Sequence, residues 1–353
     1  IEDRSNQPFH SDDNRYWIVF NGEIYNYKEI REELENKGYS FHTSGDTEVL
    51  LKGFICYKEK ILDKLRGQFA FAIYDSIEKT TFLARDRIGI KPLYFSNYKE
   101  WIVFGSEMKT IESSKLIPFI PDTESYMTYM RHLCIPGSST GNKNISKVRP
   151  GEYVTFSKSG EIKTYKYWDP FSFEIDYEMS ESDASDELER LLIESVEYRK
   201  VSDVEVGLFL SGGLDSSLIG KLMKAGSQSK LKGFNIDYEE HFDGYKGEVS
   251  EAEYASSNID IELIKEKIAY RDFKTLLNNY SNYQDDLNGD EVGIPLYFLG
   301  KSARLKGITV VQVGEGADEL FYGYEHWLRY LKLNRFIKPI MKHNSRVSGF
   351  SNH

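Results

Sequence analysis

The run DVEVGLFL at 203–210 is almost wholly apolar after its first residues, and it breaks at once into SGGLDSS at 211–217 and then a helix-like pattern. A continuous apolar run of this kind suits a parallel strand buried on both faces. The same design returns in LKGFNID at 231–237 and in GITVVQVGEG at 307–316. Three units of strand followed by glycine, with helical patterns between them, define a doubly wound, Rossmann-like α/β sheet. Ligands bind such sheets at the carboxyl ends of the strands, so the two Gly-rich turns are expected to face one crevice.

In SGGLDSS, Gly212 and Gly213 let the backbone approach an anion, and the following helix presents free N–H groups. Ser211, Ser216 and Ser217 add hydroxyl donors. The result is a phosphate cradle without a lysine: both GxGxxG and GK[ST] are missing, which excludes dinucleotide and Walker A readings. Asp215 beside a phosphate is repulsive unless a cation lies between them, so the loop predicts Mg²⁺. Asp318, in VGEGADELFYGY at 313–324, is placed to reach the same ion from the facing loop. The plain structural alternative, a βα turn with a serine cap, accounts for one motif but not for the pair.

A chain of 353 residues exceeds one ordinary core, and two domains are expected, at 1–170 and 180–353. The charged stretch EIDYEMSESDAS at 174–185 reads as the linker, and Leu188, Leu191, Leu192 and Val196 as one face of the helix after it. A net charge of −11 argues against a nucleic-acid surface. No apolar run approaches the roughly 18 residues a membrane helix needs. The two cysteines, Cys56 and Cys134, are too few for a disulfide framework and form no C-x-x-C pair. A reducing compartment, the cytoplasm, and small-molecule partners follow, with a homodimer left open. The opening IEDRSNQPFH has neither Met nor a signal-peptide pattern and reads as an internal start. The closing KPIMKHNSRVSGFSNH reads as frayed.

The first half is dominated by short β-like runs: YWIVF at 16–20, QFAFAIYD at 68–75, TTFLARD at 80–86, KPLYFS at 91–96 and WIVFGSE at 101–107. Turn residues between them mark an antiparallel sheet or sandwich. Two helices interrupt it. Asn26 with Glu29 resembles an N-cap pair for the first, and Gly38 stops it; the second starts at Asp46. The turn NGEIYN at 21–26 offers an amide, a close backbone approach and a carboxylate to a small polar ligand. Cys56, within an apolar helical stretch, reads as a core residue.

NQPF at 6–9, IVFNGEIYNY at 18–27, GDTEVLL at 45–51, LRGQFAFAIYD at 65–75 and RDRIGIKPLYF at 85–95 resemble, in order, the glutaminase domain of glutamine-hydrolysing asparagine synthetases. SGGLDSS with GEGADE is similar to the PP-loop ATP pyrophosphatase signature of the same family. The resemblance implies a four-layer αββα amidohydrolase-type domain followed by the parallel-sheet ATP-binding domain. It implies that Asn21 and Gly22 form an oxyanion hole and that Glu23 and Asp46 hold the glutamine α-amino group. It carries Asp215 and Asp318 over as Mg²⁺-pyrophosphate ligands and Glu315 as the acid/base group. Phe209, Leu210, Ser211, Gly212, Gly213, Ser216, Ile236, Val313 and Gly314 become ATP contacts. Val313 departs from a Ser common at that place, leaving a backbone contact there. Asp285 and Asp286, in QDDLNGDEVGIPLYFLGKSAR, read either as residues near an aspartate pocket or as solvated loop carboxylates.

The activity implied is an ATP-dependent carbon–nitrogen ligase. Aspartate is activated to an acyl-adenylate and amidated by ammonia, with glutamine as the nitrogen source. The family's N-terminal Cys nucleophile and a glutamine-gripping Arg fall before Ile1, and neither Cys56 nor Cys134 replaces the nucleophile, so the chain as given is expected not to hydrolyse glutamine. A related enzyme acting on another carboxylate, as in β-lactam synthetases, and a non-catalytic nucleotide-binding descendant remain the alternatives.

Overall fold

In the computed structural model, residues 6–201, 204–226, 230–239 and 248–333 are described, so the closing KPIMKHNSRVSGFSNH lies outside the described residues. The chain forms two units, one of residues 1–191 with 273–293 and one of residues 192–272 with 294–353.

The first unit is built on antiparallel alternation. Strands β1 (Phe9–His10), β2 (Tyr16–Ile24), β3 (Gly67–Asp75), β4 (Thr80–Arg85), β8 (Glu152–Phe156) and β9 (Ile162–Lys166) form one sheet in that order. Strands β6 (Trp101–Gly105), β5 (Tyr94–Tyr98) and β7 (Ser146–Lys147) form a second. Successive side chains of a strand point to opposite faces. On one face of the larger sheet Ile18, Phe69, Phe71 and Ile73 pack under helices α1 (Tyr27–Glu35), α2 (Asp46–Tyr57) and α3 (Ile61–Lys64), against Leu34, Leu50 and Leu62. On the other face Ala70, Ala72, Leu83 and Phe156 meet Leu93, Phe95 and Phe104 of the smaller-sheet region. Tyr94 and Val103 on that region's far side pack against Met108 and Ile111 of helix α4 (Met108–Ser113). Helix, sheet, sheet, helix is the expected four-layer order. Helix α5 (Thr123–His132) follows.

Two local expectations need correction. Asn26 stands at the N-cap of α1 but makes no side-chain cap bond. Its amide instead donates to Lys64 O at 2.9 Å and accepts Arg66 N–H at 2.9 Å, so it stitches the start of α1 to the entry of β3. The linker is shorter than expected: helix α6 (Glu181–Lys200) begins inside it. Ser180 Oγ accepts Asp183 N–H at 3.1 Å and donates to its carboxylate at 2.8 Å, a capping pair hidden in an acidic stretch. On α6 only Val196 is buried, whereas Leu188 and Leu191 are exposed.

The second unit is a four-stranded parallel sheet. Strands β10 (Val206–Phe209), β11 (Leu231–Tyr238), β12 (Ile261–Ile268) and β13 (Val310–Gln312) stand in the order β12-β11-β10-β13, and every pairing is parallel. Helices α7 (Leu214–Lys224), α8 (Val249–Ile259), α10 (Gly293–Leu305) and α11 (Ala317–Phe321) accompany it, and α9 (Tyr270–Leu277) straddles the boundary at residue 272. Leu208, Leu210, Met223 and Ala255 fill one face of the sheet, and Phe234, Ala303 and Ile308 the other. Strand β12, IELIKEKI, was not among the expected strands, because its four charged residues mask the apolar pattern. It is an edge strand, where charges are tolerated and discourage further pairing.

At the end of β3, Asp75 accepts Arg15 Nε at 3.0 Å and Nη2 at 2.8 Å, and also the N–H groups of Ile77 and Glu78. The Arg15 bonds hold its pKa down to about 2. A carboxylate depressed in the folded state stabilises it above the unfolded pKa of about 3.9, and that contribution disappears as pH falls through about 2. With Arg15 partly open to solvent, about 1 kcal/mol is expected. Urea denaturation of Asp75→Asn should show that deficit at pH 7 and lose it near pH 2; an equal deficit at both would rule out the ion pair as its source.

Candidate functional site

In the second unit the chain adds β11 and β12 on one side of β10 but β13 on the other. The carboxyl ends of β10 and β13 therefore flank a crevice at a reversal of strand order. SGGLDSS leaves β10 there and VGEGADE leaves β13. The two loops touch: a Cβ on Gly314 would stand 3.0 Å from Ser216 N and 3.2 Å from Asp215 Cβ. Gly314 is thus the residue that lets the second motif lie on the first turn of α7.

Gly212 has φ +86°, and a Cβ on it would lie 2.3 Å from the Glu251 carbonyl carbon and 2.4 Å from Ala252 N. Glycine is required at 212 by the backbone of α8 as well as by any anion. Ser211 Oγ and Ser216 Oγ lie 2.9 Å apart, and Gly213 N–H donates to Ser211 Oγ at 3.2 Å. These hydroxyls brace the loop, while Ser217 Oγ is buried without a partner. The N-terminus of α7 has Gly213 as N-cap and no side-chain cap, so its first-turn N–H groups are available to an anion.

Asp215 lies in the first turn of α7 and Asp318 in the first turn of α11, after Gly316 at φ +92°. The Tyr324 hydroxyl donates to Glu319 Oε1 at 2.8 Å. That bond, with burial and the negative charges of Glu319, Asp318 and Glu315, pushes the Tyr324 pKa up to about 12. Phe209 is half-buried at the end of β10, as is Ile236 near the end of β11, and Val313 is exposed. Leu210 differs: its side chain is buried with Met223 and Leu231, so it can offer a ligand only its backbone. Asp215 and Asp318 are oxygen donors of the type that suits Mg²⁺ when phosphate oxygens complete the shell. Among the described residues no group of three His, Cys, Asp or Glu side chains could hold a metal alone.

In the first unit the candidate residues gather at the end of β2. Asp46 Oδ2 accepts Ile24 N–H at 2.9 Å, which ties the start of α2 to NGEI. Burial raises the Asp46 pKa above the ordinary carboxylate value. Glu23, next to Ile24 in sequence, is half-buried, and exposed Asn21 donates to Ser106 Oγ at 3.2 Å. Gly22, at φ +156°, has its close backbone approach to β3 itself, because a Cβ there would lie 2.1 Å from Gln68 O. Sequence reasoning missed Gln7, whose amide takes both backbone groups of Phe20, at 2.9 and 2.6 Å, and so extends the sheet ahead of β1. It also missed Glu48, buried, which accepts His42 and Thr43 N–H groups and pairs with Lys52 at 2.8 Å.

Asp285 and Asp286 are half-buried and hydrogen-bonded rather than solvated. Asp285 accepts the N–H groups of Met108 and Lys109 at the start of α4, and Asp286 pairs with Lys147 at 2.8 Å. Both carboxylates fasten residues 273–293 into the first unit, beside a cavity of about 350 Å³ lined by Arg85, Tyr94, Cys134 and Lys147.

The chain thus combines an αββα layer stack with a parallel α/β sheet whose two glycine-rich loops meet at the carboxyl ends of adjacent strands. Residues 1–168 match the family profile described as glutamine amidotransferase domain, and residues 187–351 match that described as asparagine synthase. The chain is 40% identical over 330 residues to asparagine synthetase [glutamine-hydrolyzing] 1 of Bacillus subtilis, covering 94% of this chain and 51% of that protein. It is 34% identical over 328 residues to asparagine synthetase [glutamine-hydrolyzing] 3 of the same organism, covering 88% and 52%. Among solved structures, glutamine phosphoribosylpyrophosphate amidotransferase from B. subtilis aligns at TM-score 0.34 and 18% identity over 74% of this chain and 48% of that one. The chain belongs to the family of glutamine-hydrolysing asparagine synthetases. It spans about half the length of the curated relatives it matches.

Proposed function

We propose that the second unit binds ATP with Mg²⁺ and activates the side-chain carboxylate of aspartate for amidation. The observation that carries this reading is the contact of Gly314 with the first turn of α7, which joins both signature loops at the carboxyl ends of adjacent strands. The aspartate carboxylate attacks the α-phosphorus of ATP, pyrophosphate leaves, and ammonia then displaces AMP from the acyl-adenylate to give asparagine. Attack of one anion on another needs charge neutralised at the leaving group. The N–H groups at the start of α7, with Ser211, Gly212, Gly213 and Ser216, hold the pyrophosphate. Asp215 and Asp318 would hold Mg²⁺, which when bound supplies charge neutralisation on the departing phosphates. Glu315 stands ready to take the proton released by the attacking ammonia. Phe209, Ile236 and Val313 border the nucleoside.

In the first unit, Asn21 and the Gly22 backbone form the oxyanion hole of a glutamine amidase site, and Glu23 with Asp46 grips the α-ammonium of glutamine. The partners are small molecules, in a cytoplasmic setting; no helix among the described residues is long and apolar enough to cross a membrane.

The acceptor is tested by mass spectrometry with ¹⁵N-ammonia, ATP, Mg²⁺ and a panel of carboxylates. Labelled asparagine formed only with aspartate is expected. Label appearing instead in the amide of another carboxylate would select a related amidating enzyme, and label in none would sink the ligase reading.

A further inference from the structure

Strands β10 and β11 part at their carboxyl ends, and one side chain marks the place. Leu208 stands opposite Gly233, Phe209 opposite Phe234, and Leu210 N–H donates to Phe234 O at 2.9 Å. In a parallel ladder the next bond runs from Ile236 N–H to Leu210 O. Here the Leu210 carbonyl accepts Asn235 Nδ2 at 2.8 Å instead. Asn235 is only 5% exposed, and its Oδ1 is buried without a partner. A buried acceptor left unpaired is a cost that most positions avoid, so the donor end of this amide has a use that outweighs it.

A strand residue points its N–H and C=O to the same side, and the residue two further on repeats that direction. Phe234 gives its carbonyl to the β10 side, so Ile236 directs both backbone groups toward the space that β10 has left. That space adjoins SGGLDSS, which begins directly after Leu210. We propose that Asn235 is a positioning residue that acts as a wedge: it satisfies the Leu210 carbonyl, stops the ladder one bond early, and keeps the Ile236 N–H and C=O open to the heterocyclic base of the nucleotide. The second half of this statement rests on the ATP reading above; the first half does not. A base with a ring-nitrogen acceptor beside an exocyclic amino donor complements one backbone N–H and one C=O. An apolar residue at 235 would remove the competing donor, and the ladder would close over the site.

The test uses this 353-residue chain and its Asn235→Leu and Asn235→Asp variants, the second being isosteric with no donor. Amide hydrogen exchange at Ile236 is measured without nucleotide, and ATP with Mg²⁺ is titrated calorimetrically. The wedge predicts rapid exchange at Ile236 in the parent chain and at least tenfold slower exchange in Asn235→Leu, together with at least tenfold weaker ATP binding in both variants. Unfolding midpoints no lower than the parent's would separate this from general damage. Exchange at Ile236 that is slow in the parent, or unchanged in Asn235→Leu, would overturn the wedge. A parent chain that binds no ATP but shows the exchange change would support the wedge and overturn the nucleotide reading.

Discussion

Asp215→Ala is expected to lower aspartate-dependent pyrophosphate release by about 10²–10³-fold, the range seen when one preorganised charge-stabilising group is removed from an active site. The fold should persist. Asp215 sits in the first turn of α7, where a carboxylate gains only about 0.3–1 kcal/mol from the helix dipole. Its side chain is half-buried, and no ion pair fixes it in place among the described residues. The large effect is therefore chemical: with one of two oxygen donors gone, charge on the departing pyrophosphate is no longer neutralised. Asp318→Ala should reproduce the loss, and the double variant should be little worse than either, because groups that act as a unit are not additive. Circular dichroism and steady-state rates on the three proteins provide the check; a folded Asp215→Ala protein within threefold of the parent rate would remove Asp215 from the site.

Gly22→Ala should destabilise the first unit by on the order of 3–5 kcal/mol, the upper range for a single substitution. The new Cβ would meet Gln68 O at 2.1 Å and Phe69 Cα at 2.7 Å, both main-chain atoms of the neighbouring strand β3. Neither can move without breaking a ladder that runs the full length of both strands. Gly38→Ala is the internal comparison. It also has positive φ, at +92°, but nothing lies within 4 Å of the added Cβ. Only the backbone preference is lost there, about 1 kcal/mol. Thermal denaturation should place Gly22→Ala several degrees below Gly38→Ala; equal midpoints would show that the sheet can spread at 22.

Those two positions illustrate what the sequence made legible. The apolar runs of both sheets were readable because burial on one or both faces leaves a period or a continuous run, as in β3 and β10. The glycine turn between β10 and α7 was readable because such a turn is local in sequence. Gly22 was read as offering a close backbone approach to a ligand, and the structure adds a requirement from Gln68 that no local pattern reveals. Asn26 carried a capping signature, but partners at Lys64 and Arg66 claimed its amide. Asp285 and Asp286 belong to the second half of the sequence and are fastened to Met108, Lys109 and Lys147 of the first unit. Strand β12 was hidden because edge strands carry charge. In each case a long-range partner decided the role of a residue whose neighbours in sequence suggested another.

The proposal that a lysine-free loop grips a leaving pyrophosphate makes a definite statement about which bond of ATP breaks. The most direct measurement is the identity of the nucleotide product when the protein turns over ATP with Mg²⁺, aspartate and ammonia. AMP and pyrophosphate, formed one for one with asparagine, are the predicted products. ADP and inorganic phosphate would mean that the β–γ bond is cleaved, and would contradict the assignment of SGGLDSS and VGEGADE as a pyrophosphate site.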